Sequence, residues 1–194
     1  MKRQIAAFAL VLLLFLTACG GGTIPDLSGS ASSPEDMGQK EDPPPRDIPF
    51  TLAFYPEFSL HPTLAANRAN LTLSPLLYES LFAVDASFQA QPVLCESCTV
   101  SEDKLVWTFT LRDRVTFSDG APLDGAAVAA ALYLARSDRG RYQARLADVA
   151  AVSAPAEALN QVVVTLRRPN GSLPLLLDIP IAQGDGDRPA GTGP

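Results

Sequence analysis

Between residues 105 and 112 the chain alternates. Leu105, Trp107, Phe109 and Leu111 fall between Val106, Thr108, Thr110 and Arg112, giving one large apolar face and one mostly polar face. A period of two marks a strand with one side buried. Residues 93–100 supply a partner across the polar turn Ser101-Glu102-Asp103-Lys104, so a hairpin is predicted. Residues 115–117 continue the sheet until Asp119-Gly120 turns the chain. Asp124 then caps an Ala-rich helix over 125–136. A short helix at 142–146, strands at 149–153 and 162–166, and a turn at Pro169-Asn170-Gly171 follow. The apolar stretch 173–181, bounded by Pro174 and Pro180, is helical in part. Upstream, Thr51-Leu52-Ala53-Phe54 reads as a short strand, and Pro56 and Pro62 hold the next segment as a loop. Asn70 caps a helix over 71–82 whose apolar face is Leu73, Leu76, Leu77, Leu81 and Phe82, with Pro75 in its first turn. Interleaved strands and helices predict an α/β fold of mixed α+β character.

The N-terminal stretch has a different pattern. Lys2 and Arg3 precede an unbroken apolar run at 5–16, and Leu16-Thr17-Ala18-Cys19 closes it with small residues and a thiol. This is the layout of a secretory signal. A helix crossing the hydrocarbon core needs about 20 apolar residues, more than this run offers before Gly20-Gly21-Gly22. The four residues ending at Cys19 resemble the lipobox of bacterial lipoproteins, which implies lipidation of Cys19 and removal of residues 1–18. Several acyl chains anchor a protein stably where one would not. Gly, Ser, Pro and charge then dominate to residue 47, with Pro43-Pro44-Pro45 near its end. Such a composition cannot offset the entropy of ordering and predicts a tether. The expected organisation is a signal peptide at 1–18, anchor and linker at 19–47, and a folded part at 48–194.

The formal net charge of −6 becomes −8 without residues 1–18, which hold Lys2 and Arg3 and no acidic residue. An acidic body argues against tracking the phosphates of a nucleic acid. No serine elbow or His-Glu-x-x-His helix is present to use the single histidine, His61, and its lack of partners favours a structural role. Asp113, Asp119 and Asp124 fall in turns and caps, so no acid–base pair is expected. The period of the Trp107 and Phe109 stripe is that of core. Cys95-Glu96-Ser97-Cys98 has C-x-x-C spacing, but zinc would need two more ligands and only Cys19 and His61 remain. Outside the cytosol the pair can form a local disulfide or stay as two thiols. A catalytic pair would want a thioredoxin-like strand and helix around it. No catalytic residue, metal site or cofactor is expected.

Several ordered blocks carry a family resemblance. They are Ser59-Leu60-His61-Pro62, Pro75-Leu76-Leu77-Tyr78-Glu79-Ser80-Leu81-Phe82, Gln91-Pro92-Val93-Leu94, and the long run from Trp107 through Leu111-Arg112-Asp113, Val115-Thr116-Phe117 and Asp119-Gly120-Ala121-Pro122-Leu123. With Gly191-Thr192-Gly193-Pro194, they are similar to the extracellular solute-binding proteins of family 5, which serve ABC importers of oligopeptides, dipeptides and nickel. His61 stands where members usually have an acidic or amide residue. Asp124 replaces a threonine cap, and Ala126 and Ala127 stand where an acidic pair is usual. Cys95 and Cys98 replace Ala and Trp.

The resemblance implies a periplasmic-binding-protein type II-like fold, in which two lobes close on a ligand and a small domain is inserted in the first. Residues 51–60 would begin the first lobe, and 61–181 would form much of the inserted domain. The 191 loop would lead back to the first lobe. The chain would then be an N-terminal fragment without its second lobe, unable to enclose a solute alone. The candidate ligand contacts are the loop Tyr55, Pro56, Glu57 and Phe58, and His61, because the equivalent loop runs beside the cleft. The expected activity is capture of an extracellular solute, a short peptide, with no enzymatic step. Its expected partners are the solute, ABC permease subunits and the membrane through the anchor at Cys19, with no nucleic acid and the protein a monomer on the extracytoplasmic face. The competing expectation is a lipid-anchored thiol-disulfide protein using Cys95 and Cys98.

Overall fold

The computed structural model describes residues 50–193. The apolar run at 5–16, Cys19 and the tether to residue 47 lie outside the described residues. In chain order the elements are α1 (Arg68–Leu71), α2 (Ser74–Leu77), β1 (Phe82–Val84), β2 (Ala90–Pro92), β3 (Cys95–Val100), β4 (Val106–Leu111), α3 (Gly125–Arg136), β5 (Val149–Ser153) and β6 (Gln161–Leu166), then a 3-10 turn at Leu173–Leu176. Four strands form an antiparallel sheet in the order β3-β4-β6-β5, and β1 pairs with β2 separately.

The predicted alternation is realised. Trp107, Phe109 and Leu111 of β4 are buried on the same side as Val162, Val164 and Leu166 of β6, with Phe109 opposite Val162 and Trp107 opposite Val164. Phe109 is fully buried, stacked on Trp107 at 5.8 Å and edge-on to Phe82 at 5.8 Å. Burying each such side chain contributes roughly 1.5–3 kcal/mol. The indole N–H of Trp107 donates to the carbonyl of Asn170 at 3.0 Å, so its one polar atom is satisfied inside the core.

Helix α3 packs on β5 and β6. Its buried residues Val128, Ala131, Leu132 and Ala135 recur at helical spacing, and Tyr133 faces outward. The carboxylate of Asp124 accepts from the N–H of Ala127 at 2.8 Å, the predicted cap. The helix begins so close to β6 that a Cβ on Gly125 would collide with the carbonyl oxygen of Gln161, so small side chains bring helix and sheet together.

Four expected elements take other forms. The segment 51–54 is unpaired and exposed, because no strand among the described residues lies beside it to complete its hydrogen bonds. The helix expected over 71–82 is instead two single turns, α1 and α2. Asn67, not Asn70, caps α1, accepting from the N–H of Asn70 at 3.0 Å. Pro75 offers no N–H to the preceding turn, so the helix restarts there, and Leu81 and Phe82 enter extended backbone. Residues 115–117 leave the sheet, and Thr116 bridges only to Pro122 across the turn at Gly120. At 142–146 there are turns, with a single helical bond from Leu146 N–H to the Tyr142 carbonyl at 3.1 Å. Arg141 and Arg145 hold their guanidinium groups 5.6 and 5.2 Å from the Tyr142 ring centre.

Candidate functional site

The loop Tyr55 to Phe58 is an exposed aromatic projection on a polar bracket. Tyr55 and Phe58 are 45% and 48% exposed, and their rings meet edge to face at 6.3 Å. Asn70, 1% exposed, holds the loop from beneath. Its Oδ1 accepts from the N–H of Tyr55 at 2.9 Å, and its Nδ2 donates to the carbonyls of Tyr55 at 2.9 Å and Phe58 at 3.1 Å. One buried amide thus satisfies three backbone groups that no ladder would reach.

A second loop fastens the first. Leu60 N–H donates to the Asp187 carbonyl at 2.8 Å, and the Ser59 hydroxyl donates to the same oxygen at 3.2 Å. Arg188 donates to the Pro56 carbonyl at 3.3 Å and holds its guanidinium 5.9 Å from the centre of the Phe54 ring. His61 completes the fastening. Its Nδ1 accepts from the N–H groups of Thr63 at 3.1 Å and Leu64 at 3.3 Å, which assigns the proton to Nε2, and Nε2 donates to the Gly184 carbonyl at 3.2 Å. The ring is 2% exposed, and burial pushes its pKa below the usual 6.5 although the Gly184 carbonyl pulls the other way. With both nitrogens committed, His61 ties two loops together.

The structure therefore brings Tyr55, Pro56, Glu57 and Phe58 together on an open surface and places His61 behind them. The neighbouring hollows are lined by other residues. One of about 270 Å³ is bounded by Leu60, Leu77, Tyr78, Ser118, Arg188 and Gly191, and another of about 520 Å³ follows Ser118, Asp119, Gln183, Asp185 and Arg188. Sequence reasoning missed Asn70 as the bracket and Arg188 as the clasp. Asn70 read equally well as a helix cap, and nothing local ties Arg188 to Pro56 across 132 positions.

Cys95 and Cys98 are free thiols, the first buried and the second exposed. Burial, then the neighbouring Cys98, pushes the Cys95 thiol up to about 12, and burial also raises Cys98. Both therefore favour the neutral form at pH 7. Among the described residues no group of three or more His, Cys, Asp or Glu could hold a metal ion, and no helix is long and apolar enough to cross a membrane.

The sequence model of the bacterial extracellular solute-binding proteins, family 5 (middle), matches residues 89–194. The chain belongs to this family. Over 74 residues it is 46% identical to the glutathione-binding protein GsiB of Salmonella paratyphi A, covering 36% of this chain and 14% of that protein. Over 54 residues it is 48% identical to the nickel-binding periplasmic protein of Escherichia coli K12, covering 28% of this chain and 10% of that one. Among solved structures it resembles NikA from Brucella suis in complex with Fe(III)-EDTA, with a TM-score of 0.60 and 26% identity, over 70% of this chain and 30% of that one. This family 5 chain thus shares the mixed α/β fold of the type II periplasmic binding proteins, and its match spans under a third of these relatives' lengths.

Proposed function

We propose that the whole protein is a substrate-binding lipoprotein of an ABC importer that captures a short peptide outside the cytoplasm and passes it to permease subunits. The family match over residues 89–194 carries this reading. Relatives named for glutathione, itself a short peptide, and for nickel support a small polar solute as cargo. In this reading the aromatic loop Tyr55 to Phe58, with Glu57, forms part of one wall of the cleft. Two rigidly held aromatic faces can stack on a solute at little entropic cost, and the Glu57 carboxylate can receive a cationic group. His61 serves the wall from behind by fixing the loop that carries Gly184. The work is done by closure and needs no acid, base or nucleophile, which suits neutral thiols at Cys95 and Cys98. The anchor is the lipid on Cys19, and the protein acts as a monomer on the extracytoplasmic face.

Calorimetric titration of the whole gene product with glutathione, di- and tripeptides and a nickel–histidine complex tests the cargo. Saturable binding of a peptide, weakened at least tenfold by Tyr55→Ala, is expected. Heat from the nickel complex alone would replace the peptide assignment, and turnover in an insulin-reduction assay would replace the binding assignment with thiol chemistry. Labelled palmitate should enter the precursor and fail to enter Cys19→Ser.

A further inference from the structure

Cys95 and Cys98 are three positions apart in a strand, a spacing that normally points two side chains to opposite faces. Strand β3 is not regular there. Cys95 lies opposite Leu111, Ser97 opposite Thr110 and Cys98 opposite Phe109, so Glu96 is an extra residue inserted as a bulge. The bulge resets the phase. Leu111 and Phe109 are two steps apart on β4 and both buried on the core face, and each cysteine shares the face of the residue it opposes. Both thiols therefore stand on one side of an edge strand. The two facing positions on the partner, Leu111 and Phe109, are two residues apart, a span of about 6.6–6.8 Å in a flat strand and less in a strongly twisted one. Disulfides join Cα atoms about 4.4–6.8 Å apart. The Cys95 thiol already leans across the bulge, its Sγ 3.2 Å from the carbonyl oxygen of Ser97, the residue before Cys98.

We propose that Cys95 and Cys98 are a redox-closable pair that forms a disulfide across the bulge in β3. The asymmetry of the two sites sets the order of events. Exposed Cys98, as thiolate, attacks one sulfur of a disulfide oxidant, breaks its S–S bond and releases the first thiol, which takes up a proton. Buried Cys95 then gives its proton to solvent and attacks Sγ of Cys98, expelling the second thiol. Two protein thiols are oxidised as one small disulfide is reduced to two thiols. Held beside its target, Cys95 needs no encounter, which offsets its reluctance to ionise. The ring would lock the place where the chain passes between sheets, since Cys95 N–H donates to the Leu81 carbonyl and Arg112 N–H to that of Leu94.

The test is treatment of the full reduced chain with hydroxyethyl disulfide, followed by trypsin and a glutamyl endopeptidase under acidic quench. Cys19 falls on a separate tryptic peptide, and cleavage after Glu96 separates the two thiols of interest. Fragments 80–96 and 97–102 should remain joined without reductant and part with it. Cys95→Ser should instead accumulate a stable mixed disulfide at Cys98. A wild-type chain that stops at that mixed disulfide, that joins Cys98 to Cys98 of a second copy, or that leaves both thiols free would overturn the proposal.

Discussion

The sheet with α3 and the pair of loops around Tyr55 are held by different physics. In the sheet, large apolar side chains recur at a fixed period, and each contributes through the water-excluded area of its neighbours. The loops have almost no such burial. They are held by a few polar atoms, Asn70 Nδ2, Asn70 Oδ1, His61 Nδ1 and Nε2, and the Arg188 guanidinium, acting on backbone groups that lie from two to 132 positions away in sequence. A core built on area tolerates small losses in proportion, whereas a polar bracket fails abruptly when one member leaves buried partners unpaired.

The largest expected effect tests the first kind of region. Phe109→Ala should cost about 3–5 kcal/mol in urea unfolding, because a fully buried ring in contact with Trp107 and Phe82 leaves a cavity. A loss under about 1 kcal/mol would mean that this core can collapse around the gap. Next comes Asn70→Ala, expected to cost about 2–3 kcal/mol by orphaning the Tyr55 N–H and two carbonyls. Hydrogen exchange at the Tyr55 amide should accelerate far more than exchange in β4, and equal acceleration would erase the distinction between the regions.

A smaller effect tracks acidity. Because His61 has a folded pKa below 6.5, the unfolded chain binds the extra proton first, so stability is full above about pH 6.5 and falls as pH drops toward the folded value. Asp85 and Asp103, held below 3.8 chiefly by hydrogen bonds, act in a lower window, where acid removes their contribution. His61→Gln should lower stability throughout and flatten the slope as the pH falls below about 6.5, read from urea midpoints. Asp124→Ala should cost about 1 kcal/mol as an ordinary lost cap, without disturbing either loop.

The same division governs what can be read from residues alone. The alternation at 105–111, the cap at Asp124 and the strands near 149–153 and 162–166 are local patterns, and each survives folding nearly in place. The 71–82 helix does not, because five leucine and phenylalanine positions mimic a helical face while Pro75 and the buried duty of Asn70 compete with it. Strands β1 and β2 are not legible in the sequence because three residues carry too little period. The bulge at Glu96 is invisible in a C-x-x-C spacing, since it exists only relative to the register with β4. The family resemblance points to the aromatic loop as a candidate, but nothing in the residues points to the bracket that holds it. An amide gives no hint in sequence of which distant carbonyl it will find. For His61 the residues alone leave a structural role and a ligand contact both open, and its tautomer is legible only from the bonds to Thr63, Leu64 and Gly184.

The crossing at Gly191 sets an order of assembly. A methyl group there would strike the carbonyl oxygen of Leu77, and Gly193 N–H donates to that same oxygen at 3.0 Å. The berth exists only once the α2 turn has formed, and reaching it closes a loop that contains both sheets. Closing so long a loop is slow relative to the short hairpins inside it. Residues 191–193 are therefore expected to seat late, as a latch thrown over a body already built.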